Sequence, residues 1–352
     1  MARIVVVAPG RGSYNRSELG YFARFSEHPA IKARKALLQE ADTLRQKSNQ
    51  ITISQLDGAE NYQASQHLPG ENASALIFSC SAADYLLLQE NHQICAVLGN
   101  SMGWYTTLFT GGCLDFRSTF HLVNSMGLQQ AGNIRGGQII YPIVDAEWRV
   151  DPQLEKQIFQ ILEEISAQGS DFWVGLSIRL GGFLVLAGTD AGIKQALQAL
   201  PKLTLGSNEY PFQLSKHAAF HTPIMDEASS YGLMHLARLP FQQPTIPMID
   251  GRGYIWRPYQ SAISELTNYT FGHQVTQPFD FTTSVRVALR EYNPDHLVLL
   301  GPGESLGGSI GQIFIEEGWR GIRSKSDFMA AQKSAHPPLI AMNRVDQAQL
   351  IL

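Results

Sequence analysis

The sequence lacks any long apolar run. In its 352 residues no stretch approaches the roughly 18 consecutive apolar residues that a membrane-spanning helix needs. The first apolar run, at 4–8, is short, ends before a glycine and shows no small-residue cleavage pattern, so we interpret it as a strand and not as a signal peptide. We therefore expect a cytoplasmic protein that has no membrane partner.

The sequence is also poor in cysteine and in clustered charge. Lys and Arg number 27 and Asp and Glu 31, which gives a net charge of −4 spread along the chain. No basic cluster or stripe points to a nucleic-acid partner. The three cysteines, Cys80, Cys95 and Cys113, are odd in number, lack the spacing of a metal site and lie in apolar surroundings. We predict buried thiols in a reducing compartment, without disulfides or a bound metal.

What is present is enough apolar sequence for a sizeable core. Hydrophobic residues make up 44% of a chain longer than one typical compact domain, so we expect a large domain and a smaller one. Short apolar runs alternate with helical patterns, which predicts an α/β domain with a mostly parallel sheet. The first predicted strands are 4–8 and 95–98, and the first predicted helices are 22–47, 73–88 and 115–130.

The middle of the chain follows a different order, typical of a ferredoxin-like βαββαβ unit. The α/β pattern resumes afterwards with a strand at 296–300, so we interpret this unit as an insertion. We place the ferredoxin-like subdomain at 137–210 and the large domain at 1–136 and 211–352, and we expect the tail after residue 324 to pack on the surface. The predicted elements of the unit are strands 139–144, 172–178, 182–187 and 210–214, and helices 151–168 and 191–200.

The strongest chemical signal is the pentapeptide G-N-S-M-G at 99–103, which follows a predicted strand and precedes a helical pattern. In a G-x-S-x-G turn the serine hydroxyl projects from the edge of the sheet, and small neighbours are needed because the backbone is crowded. The N-terminus of the next helix offers N–H groups to an oxyanion. The alternative is a glycine-rich turn with a solvent-facing serine. We favour Ser101 as a nucleophile, although periodicity does not choose its base among the ten histidines.

Five segments in one order together resemble the malonyl-CoA:acyl carrier protein transacylases and the acyltransferase domains of polyketide synthases. That family has P-G-Q-G-S, G-H-S-x-G, A-F-H-S-P-x-M, R-Q-x-x-x-P-V and L-G-P-G-x-x-L. The resemblance extends over nearly the whole chain, and an insertion between the serine and the histidine is also the family's layout. The segments here are P-G-R-G-S at 9–13, G-N-S-M-G at 99–103, A-F-H-T-P-I-M at 219–225, H-Q-V-T-Q-P-F at 273–279 and L-G-P-G-E-S-L at 300–306.

The resemblance implies an α/β-hydrolase-like large domain and a two-step acyl transfer. Ser101 would attack the thioester of an acyl-CoA, and His221 would act as its base. The main-chain carbonyl of Gln274 would orient the histidine, and the backbone N–H groups of Arg11 and Met102 would hold the oxyanion. An acyl carrier protein thiol would then accept the acyl group in fatty acid or polyketide biosynthesis, and no cofactor is expected.

The chain departs from the family where malonyl-specific members carry an arginine, in a segment like L-V-x-x-R-G. Here the segment is L-V-N-S-M-G at 122–127, so Met126 replaces the arginine that would pair with the malonyl carboxylate. A carboxylate buried without a partner is costly. Arg117 precedes Met126 by nine positions, which places it on the opposite face of the helix. We therefore predict a preference for an uncharged acyl group, in a pocket that includes Asn100, Met126 and Phe220.

Several alternatives remain open at this point. Arg11, which replaces the family's glutamine, would in one of them bind the carboxylate and make the enzyme malonyl-specific. In others the chain is an acyl carrier protein thioesterase, a non-catalytic module that docks a carrier protein, or an ordinary α/β-hydrolase esterase with His296 as base. Trp104 either narrows the acyl pocket or packs beneath the serine turn, and we favour packing.

Overall fold

The computed structural model describes residues 2–88, 92–129, 131–132 and 134–352. Its strands are β1 (Arg3–Ala8), β2 (Gln93–Gly99), β3 (Gly137–Pro142), β4 (Val174–Leu180), β5 (Phe183–Gly188), β6 (Leu203–Leu205), β7 (Asn208–Tyr210), β8 (Phe212–Gln213), β9 (Met248–Ile249), β10 (Ile255–Trp256), β11 (Phe279–Asp280), β12 (His296–Leu299) and β13 (Leu339–Ala341).

The helices predicted at 73–88, 151–168 and 191–200 are present, with bounds that differ by a few residues. Two π-helical turns are also present, at Gly232–Leu236 and Tyr269–His273. The end of the helix predicted at 115–130 falls on Gln130, which lies outside the described residues. The α-helices are α1 (Ile31–Lys47), α2 (Ile53–Asp57), α3 (Ala64–His67), α4 (Gly70–Leu88), α5 (Gly103–Thr110), α6 (Phe116–Leu128), α7 (Pro152–Ser166), α8 (Asp190–Ala199), α9 (Asp226–Tyr231), α10 (Ile263–Asn268), α11 (Gln274–Thr276), α12 (Phe281–Tyr292), α13 (Gly307–Glu317), α14 (Lys325–Gln332) and α15 (Val345–Ala348).

The larger sheet has six strands in the order β10-β9-β2-β1-β12-β13. Every neighbouring pair is parallel except β9 and β10, which are antiparallel. Strand β1 lies in the middle, and its residues 4–8 are all buried, as expected for a strand whose two faces are covered by helices. The predicted α/β domain with a mostly parallel sheet is therefore confirmed.

The second sheet has five strands in the order β11-β4-β5-β3-β8. Its pairs are antiparallel except that of β11 with β4. Helices α7 and α8 cover it and share with it a separate core that includes Ile139, Leu184 and Ile158. Apart from the separate two-stranded sheet of β6 and β7, which lies between α8 and β8, the order β3-α7-β4-β5-α8-β8 confirms the ferredoxin-like unit. The domain boundaries at 137 and 210 stay a prediction. Two strands of this sheet, β8 and β11, lie beyond residue 210.

The predicted helix at 22–47 begins later than expected. Residues Tyr21–Ala23 form a 3-10 turn, and α1 begins only at Ile31. Pro29 explains the difference, because a proline disfavours helical backbone at the residue before it, here His28.

The expectation that the tail after residue 324 packs on the surface is wrong for residues 337–342, which are buried, whereas most of residues 325–336 are exposed or half-buried. Strand β13 is buried and forms the edge of the larger sheet, where it pairs in parallel with β12. Helix α14 inserts Phe328 against Phe314 of α13. The apolar run at 339–342 is only four residues long, which is too short for a strand to be distinguished from a loop by periodicity.

The structure bears on the state of the cysteines and on membrane-spanning helices. Cys80, Cys95 and Cys113 are buried and have free thiols, as predicted. Within the ranges given above, no helix has both the length and the apolar character that crossing a membrane requires.

Candidate active site

Ser101 lies in the turn between β2 and α5. Its backbone has a φ of 56°, in the left-handed region that residues other than glycine rarely adopt and that often marks a functional site. Tight packing fixes the turn. A Cβ atom on Gly99 would lie 2.2 Å from the carbonyl carbon of Gly103, and one on Gly103 would lie 2.3 Å from the carbonyl oxygen of Ala8 in β1. Glycine is therefore required at both positions of the pentapeptide.

The serine hydroxyl is hydrogen-bonded to His221. Ser101 Oγ lies 2.7 Å from His221 Nε2, and His221 Nδ1 lies 2.6 Å from the main-chain carbonyl oxygen of Gln274. Because a carbonyl oxygen only accepts hydrogen bonds, Nδ1 carries the proton and donates it to Gln274. Nε2 is then the acceptor, and the hydroxyl of Ser101 donates to it. This is the tautomer that a general base needs.

Gln274 contacts both members of the pair. It begins the three-residue helix α11, directly after the π-helical turn Tyr269–His273. Because carbonyl groups in the last turn of a helix have no partner within it, the carbonyl of Gln274 is available to His221. Its side-chain Nε2 donates to the carbonyl oxygen of Ser101 at 3.1 Å, and its Oε1 accepts from the hydroxyl of Tyr105 at 3.2 Å. Gln274 thus orients the histidine through its main chain and the serine turn through its side chain.

His221 is held neutral by its surroundings. Burial lowers its pKa to about 4, and the hydrogen bond to the Gln274 carbonyl opposes this only in part. The ring of Phe279 lies 5.5 Å away and contributes to the burial. At neutral pH the imidazole is therefore unprotonated and able to accept the serine proton.

The Ser–His pair opens into a cavity of about 250 Å³ between the two sheets. Its lining is mostly apolar. It includes Val123 of α6, Ile178 and Leu180 of β4, and Val185 of β5. The sequence-predicted pocket and oxyanion residues all line it: Arg11, Asn100, Met102, Met126 and Phe220.

Met126 faces this cavity, and Arg117 does not. Arg117 is exposed on the far side of α6, where it forms an ion pair with Glu40 at 2.9 Å. Met126 is 8% exposed. Helix α6 therefore brings a thioether to the cavity, at the place where the resemblance leads one to look for an arginine.

Arg11 is the one permanently charged side chain among the cavity-lining residues of the described ranges. It is half-buried, and its Nη2 donates to the carbonyl oxygens of Leu68 and Lys216 at 2.9 and 3.1 Å. Its guanidinium lies 5.4 Å from the centre of the Phe220 ring. Burial lowers its pKa to about 10, while the charge of Glu71 acts in the opposite direction, so it remains a cation at neutral pH.

Three further residues from the sequence analysis can be placed. Asn100 is 7% exposed beside the nucleophile, and its backbone N–H donates to the carbonyl oxygen of Ala8 at 3.0 Å. Trp104 is fully buried behind the turn, where its Nε1 donates to Thr270 at 3.0 Å. His296 begins β12, and its Nδ1 lies 2.7 Å from the carbonyl oxygen of Pro337, so it is not placed to serve Ser101.

Several polar residues that lie at the cavity or behind it were not predicted from the sequence. Tyr105, one helical turn after Ser101 on α5, could have been found from that spacing. Gln138 on β3, Ser177 on β4 and His217 are adjacent only through tertiary packing, and no local pattern brings them together.

Comparison with solved structures identifies the fold as that of the acyl carrier protein S-malonyltransferases. The chain is 21% identical to one from Burkholderia pseudomallei, with a TM-score of 0.75 over 99% of this chain and 100% of the other. It is 19% identical to a malonyl-transacylase solved in complex with its type II polyketide synthase acyl carrier protein, with a TM-score of 0.75 over 100% and 99% of the two chains. The corresponding enzyme from Vibrio cholerae gives a TM-score of 0.74 at 19% identity over 99% of each chain. The fold expected from the five motifs is therefore confirmed.

Sequence comparison gives a particular relative. The chain is 24% identical over 217 residues to the polyketide biosynthesis malonyl CoA-acyl carrier protein transacylase PksC of Bacillus subtilis (strain 168). The aligned part is 62% of this chain and 68% of that protein. No family model matches the chain. The resemblance to the transacylases is thus found over 62% of the chain as well as in the motifs.

Proposed function

We propose that the protein is an acyltransferase of fatty acid or polyketide biosynthesis. It moves an acyl group from acyl-CoA or an acyl carrier protein, through an ester on Ser101, to the thiol of an acyl carrier protein. The observation that carries this proposal is the hydrogen-bonded arrangement of Ser101, His221 and Gln274 at an apolar cavity. The names of the relatives support it, because they describe transacylases that act on malonyl-CoA and acyl carrier protein.

In the first step Ser101 Oγ attacks the thioester carbonyl carbon while its proton passes to His221 Nε2. The tetrahedral intermediate carries a negative charge on the former carbonyl oxygen. The N-terminus of α5, where Met102 lies, and the backbone of Arg11 are the groups we propose to stabilise that charge. The C–S bond then breaks, and the departing sulfur takes the proton from His221, which leaves the acyl group as an ester on Ser101.

In the second step the thiol of the carrier protein gives its proton to His221 and attacks the ester. The bond from Ser101 Oγ to the acyl carbon breaks, and Oγ recovers the proton from His221. A new thioester and the free enzyme result, which predicts ping-pong kinetics. Water in place of the thiol would make the protein a thioesterase.

We further propose that the preferred acyl group is uncharged. Met126 offers no partner to a carboxylate, and Arg117 is committed to Glu40 on the outside. Arg11 already donates to two carbonyl oxygens and lies against Phe220. Burial of a carboxylate in such a cavity without a dedicated partner is unfavourable by several kcal/mol.

The malonyl-specific alternative depends on Arg11. It is supported by the names of the relatives and by the cation's position on the cavity wall. Under this alternative the carboxylate would draw the guanidinium away from Leu68 and Lys216, and Arg11→Gln would abolish a malonyl preference.

The decay of the acyl-enzyme tests transfer against hydrolysis. The enzyme is loaded from acetyl-CoA, freed of CoA, and followed by intact mass with and without a phosphopantetheinylated acyl carrier protein. We expect the ester to disappear faster with the carrier protein, with the acetyl group recovered on the carrier. Equal decay rates, with free acetate as the product, would establish the thioesterase instead. A carrier protein without its phosphopantetheine arm is the matched control, because it can dock but has no thiol.

A further inference from the structure

A chain of hydrogen bonds ends in a histidine on the cavity wall. The hydroxyl of Ser177 on β4 lies 2.8 Å from the carbonyl oxygen of Phe220. The side-chain Nε2 of Gln138 on β3 donates to Ser177 Oγ at 2.7 Å. Gln138 Oε1 lies 2.9 Å from Nδ1 of His217, and His217 lines the cavity. None of these three side chains takes part in the chemistry proposed for Ser101 and His221.

The carbonyl oxygen of Phe220, at the end of the chain of hydrogen bonds, determines which group donates in each bond. The Phe220 carbonyl only accepts, so the Ser177 hydroxyl donates to it and leaves its oxygen to accept from the Gln138 amide nitrogen. The amide oxygen of Gln138 therefore faces His217, and Nδ1 of His217 must carry a proton to donate to it. In the neutral imidazole the proton on Nδ1 makes Nε2 an acceptor.

The ring is neutral under ordinary conditions. Burial, and to a smaller extent the positive charge of Arg11, lower the pKa of His217 to about 3. Its edge-on contact with Phe220, at 5.8 Å between ring centres, holds the ring against the residue that precedes His221. The network thus fixes both the orientation and the tautomer of His217.

Much of the wall around His217 is apolar. Ile140 on β3, Ile178 and Leu180 on β4, Val185 on β5 and Leu214 line the same cavity. An acceptor in such surroundings favours a ligand that brings an O–H or N–H group, since a buried polar atom left without a hydrogen bond is unfavourable. A carboxylate brings no proton at neutral pH, and an alkyl chain offers no donor.

We propose that His217 is a specificity-determining residue that selects uncharged acyl groups bearing a hydroxyl group. The hydroxyl would donate to Nε2 of His217 while the acyl carbon is held at Ser101. This inference rests on the proposed acyl transfer and narrows its substrate class to hydroxyacyl thioesters. A site built to accept a hydrogen bond discriminates strongly against the analogue that lacks the donor.

Pairs of thioesters that differ by one hydroxyl group test the inference. We would measure the rate of Ser101 acylation by intact mass with 3-hydroxybutyryl-CoA against butyryl-CoA, and with 2-hydroxypropionyl-CoA against propionyl-CoA. The CoA moiety is common to each pair, so the ratio of rates reports on the acyl group alone. We expect the hydroxylated member of at least one pair to load about tenfold faster.

His217→Leu removes the acceptor, and we expect it to bring that ratio close to one. His121→Leu is the matched control, since His121 is exposed on α6, and it should keep the ratio of the unaltered enzyme. The measured quantity is a ratio within one enzyme preparation, so a partial loss of folded protein in the variant does not affect it.

Three results would overturn the inference while leaving the acyltransferase standing. They are equal loading within both pairs, faster loading of malonyl-CoA than of every uncharged thioester, and an equal loss of loading for all thioesters in His217→Leu. The last would show that His217 does not distinguish one acyl group from another. Absence of acylation of Ser101 by every thioester would instead overturn the proposed function, and the inference with it.

Discussion

At the scale of single residues, the proposed acyl transfer depends on a histidine that stays neutral. Burial in contact with Phe279 outweighs the hydrogen bond to Gln274, and the pKa of His221 falls to about 4. Only the neutral form can take the proton of Ser101.

The first prediction concerns how the acylation of Ser101 depends on pH. Between pH 8 and about 5 the kcat/KM for acylation should be nearly constant, and it should fall to half near pH 4 as His221 becomes protonated. Stopped-flow release of CoA, with short exposure to each pH, measures this. A midpoint near 6.5, the ordinary value for histidine, would show that burial does not control the base.

The second prediction concerns Met126. Met126→Arg should raise the rate of loading from malonyl-CoA and lower that from acetyl-CoA, because the new guanidinium reaches the cavity and pairs with a carboxylate. A lost pairing of roughly 3 kcal/mol corresponds to a change of more than a hundredfold in relative loading. Competition of the two thioesters for one enzyme measures the ratio.

The comparison enzyme in that experiment is Arg11→Gln. If Arg11 is the carboxylate partner, the unaltered enzyme prefers malonyl-CoA and Arg11→Gln destroys the preference. A clear malonyl preference of the unaltered protein would contradict the role that we give to Met126.

At the scale of elements, the turn from β2 to α5 holds Ser101, the proposed nucleophile. It packs so closely against β1 that Gly103 has no room for a side chain, since the added carbon would lie 2.3 Å from the carbonyl oxygen of Ala8.

The third prediction tests this packing with two glycines. Gly103→Ala should lower the free energy of unfolding by at least about 2 kcal/mol and reduce acylation of Ser101 more than a hundredfold, because backbone must shift to admit the methyl group. Gly308→Ala is the matched control: Gly308 lies in α13, and an added Cβ there meets no atom within 4 Å. It should raise stability by about 0.5–1 kcal/mol and leave acylation unchanged. Urea unfolding and intact-mass loading of both variants give the two quantities.

The helices and strands could be predicted from the sequence where a local pattern determines them. Strand β2, the serine turn and the βαββαβ order could all be read from short apolar runs and glycines. The edge strand β13 could not, because a run of four apolar residues carries too little periodicity and its place depends on pairing with β12. The same limit applies to the site. Ser101, His221 and Gln274 lie in motifs, whereas Gln138, Ser177 and His217 meet only once β3, β4 and the segment after β8 have assembled.

At the scale of the whole molecule, the cavity places two neutral histidines between the sheets. Burial lowers the pKa of His221 to about 4 and that of His217 to about 3, below the value of 6.5 that histidine has when exposed. Below pH 6.5 the unfolded chain therefore binds protons that the folded chain does not. The free energy of unfolding accordingly decreases as the pH is lowered.

The fourth prediction is the size of that fall. Between pH 7 and pH 5 each of the two histidines should lower the free energy of unfolding by about 2 kcal/mol. In His221→Gln the decrease should be smaller than in the unaltered protein by about that amount, whereas His121→Gln, at an exposed position, should show the full decrease. Urea unfolding at the two pH values measures it, and an identical decrease in His221→Gln would contradict the burial of a neutral His221.

The central claim is that an acyl group is carried on Ser101. Its most direct test is the intact mass of the protein after brief exposure to acetyl-CoA, for the unaltered enzyme and for Ser101→Ala, with the modified peptide located by fragmentation. The account predicts a gain of one acetyl group on the unaltered enzyme, located on the peptide that contains 99–103, and no gain on Ser101→Ala. Acetylation of Ser101→Ala at the rate of the unaltered enzyme would contradict it.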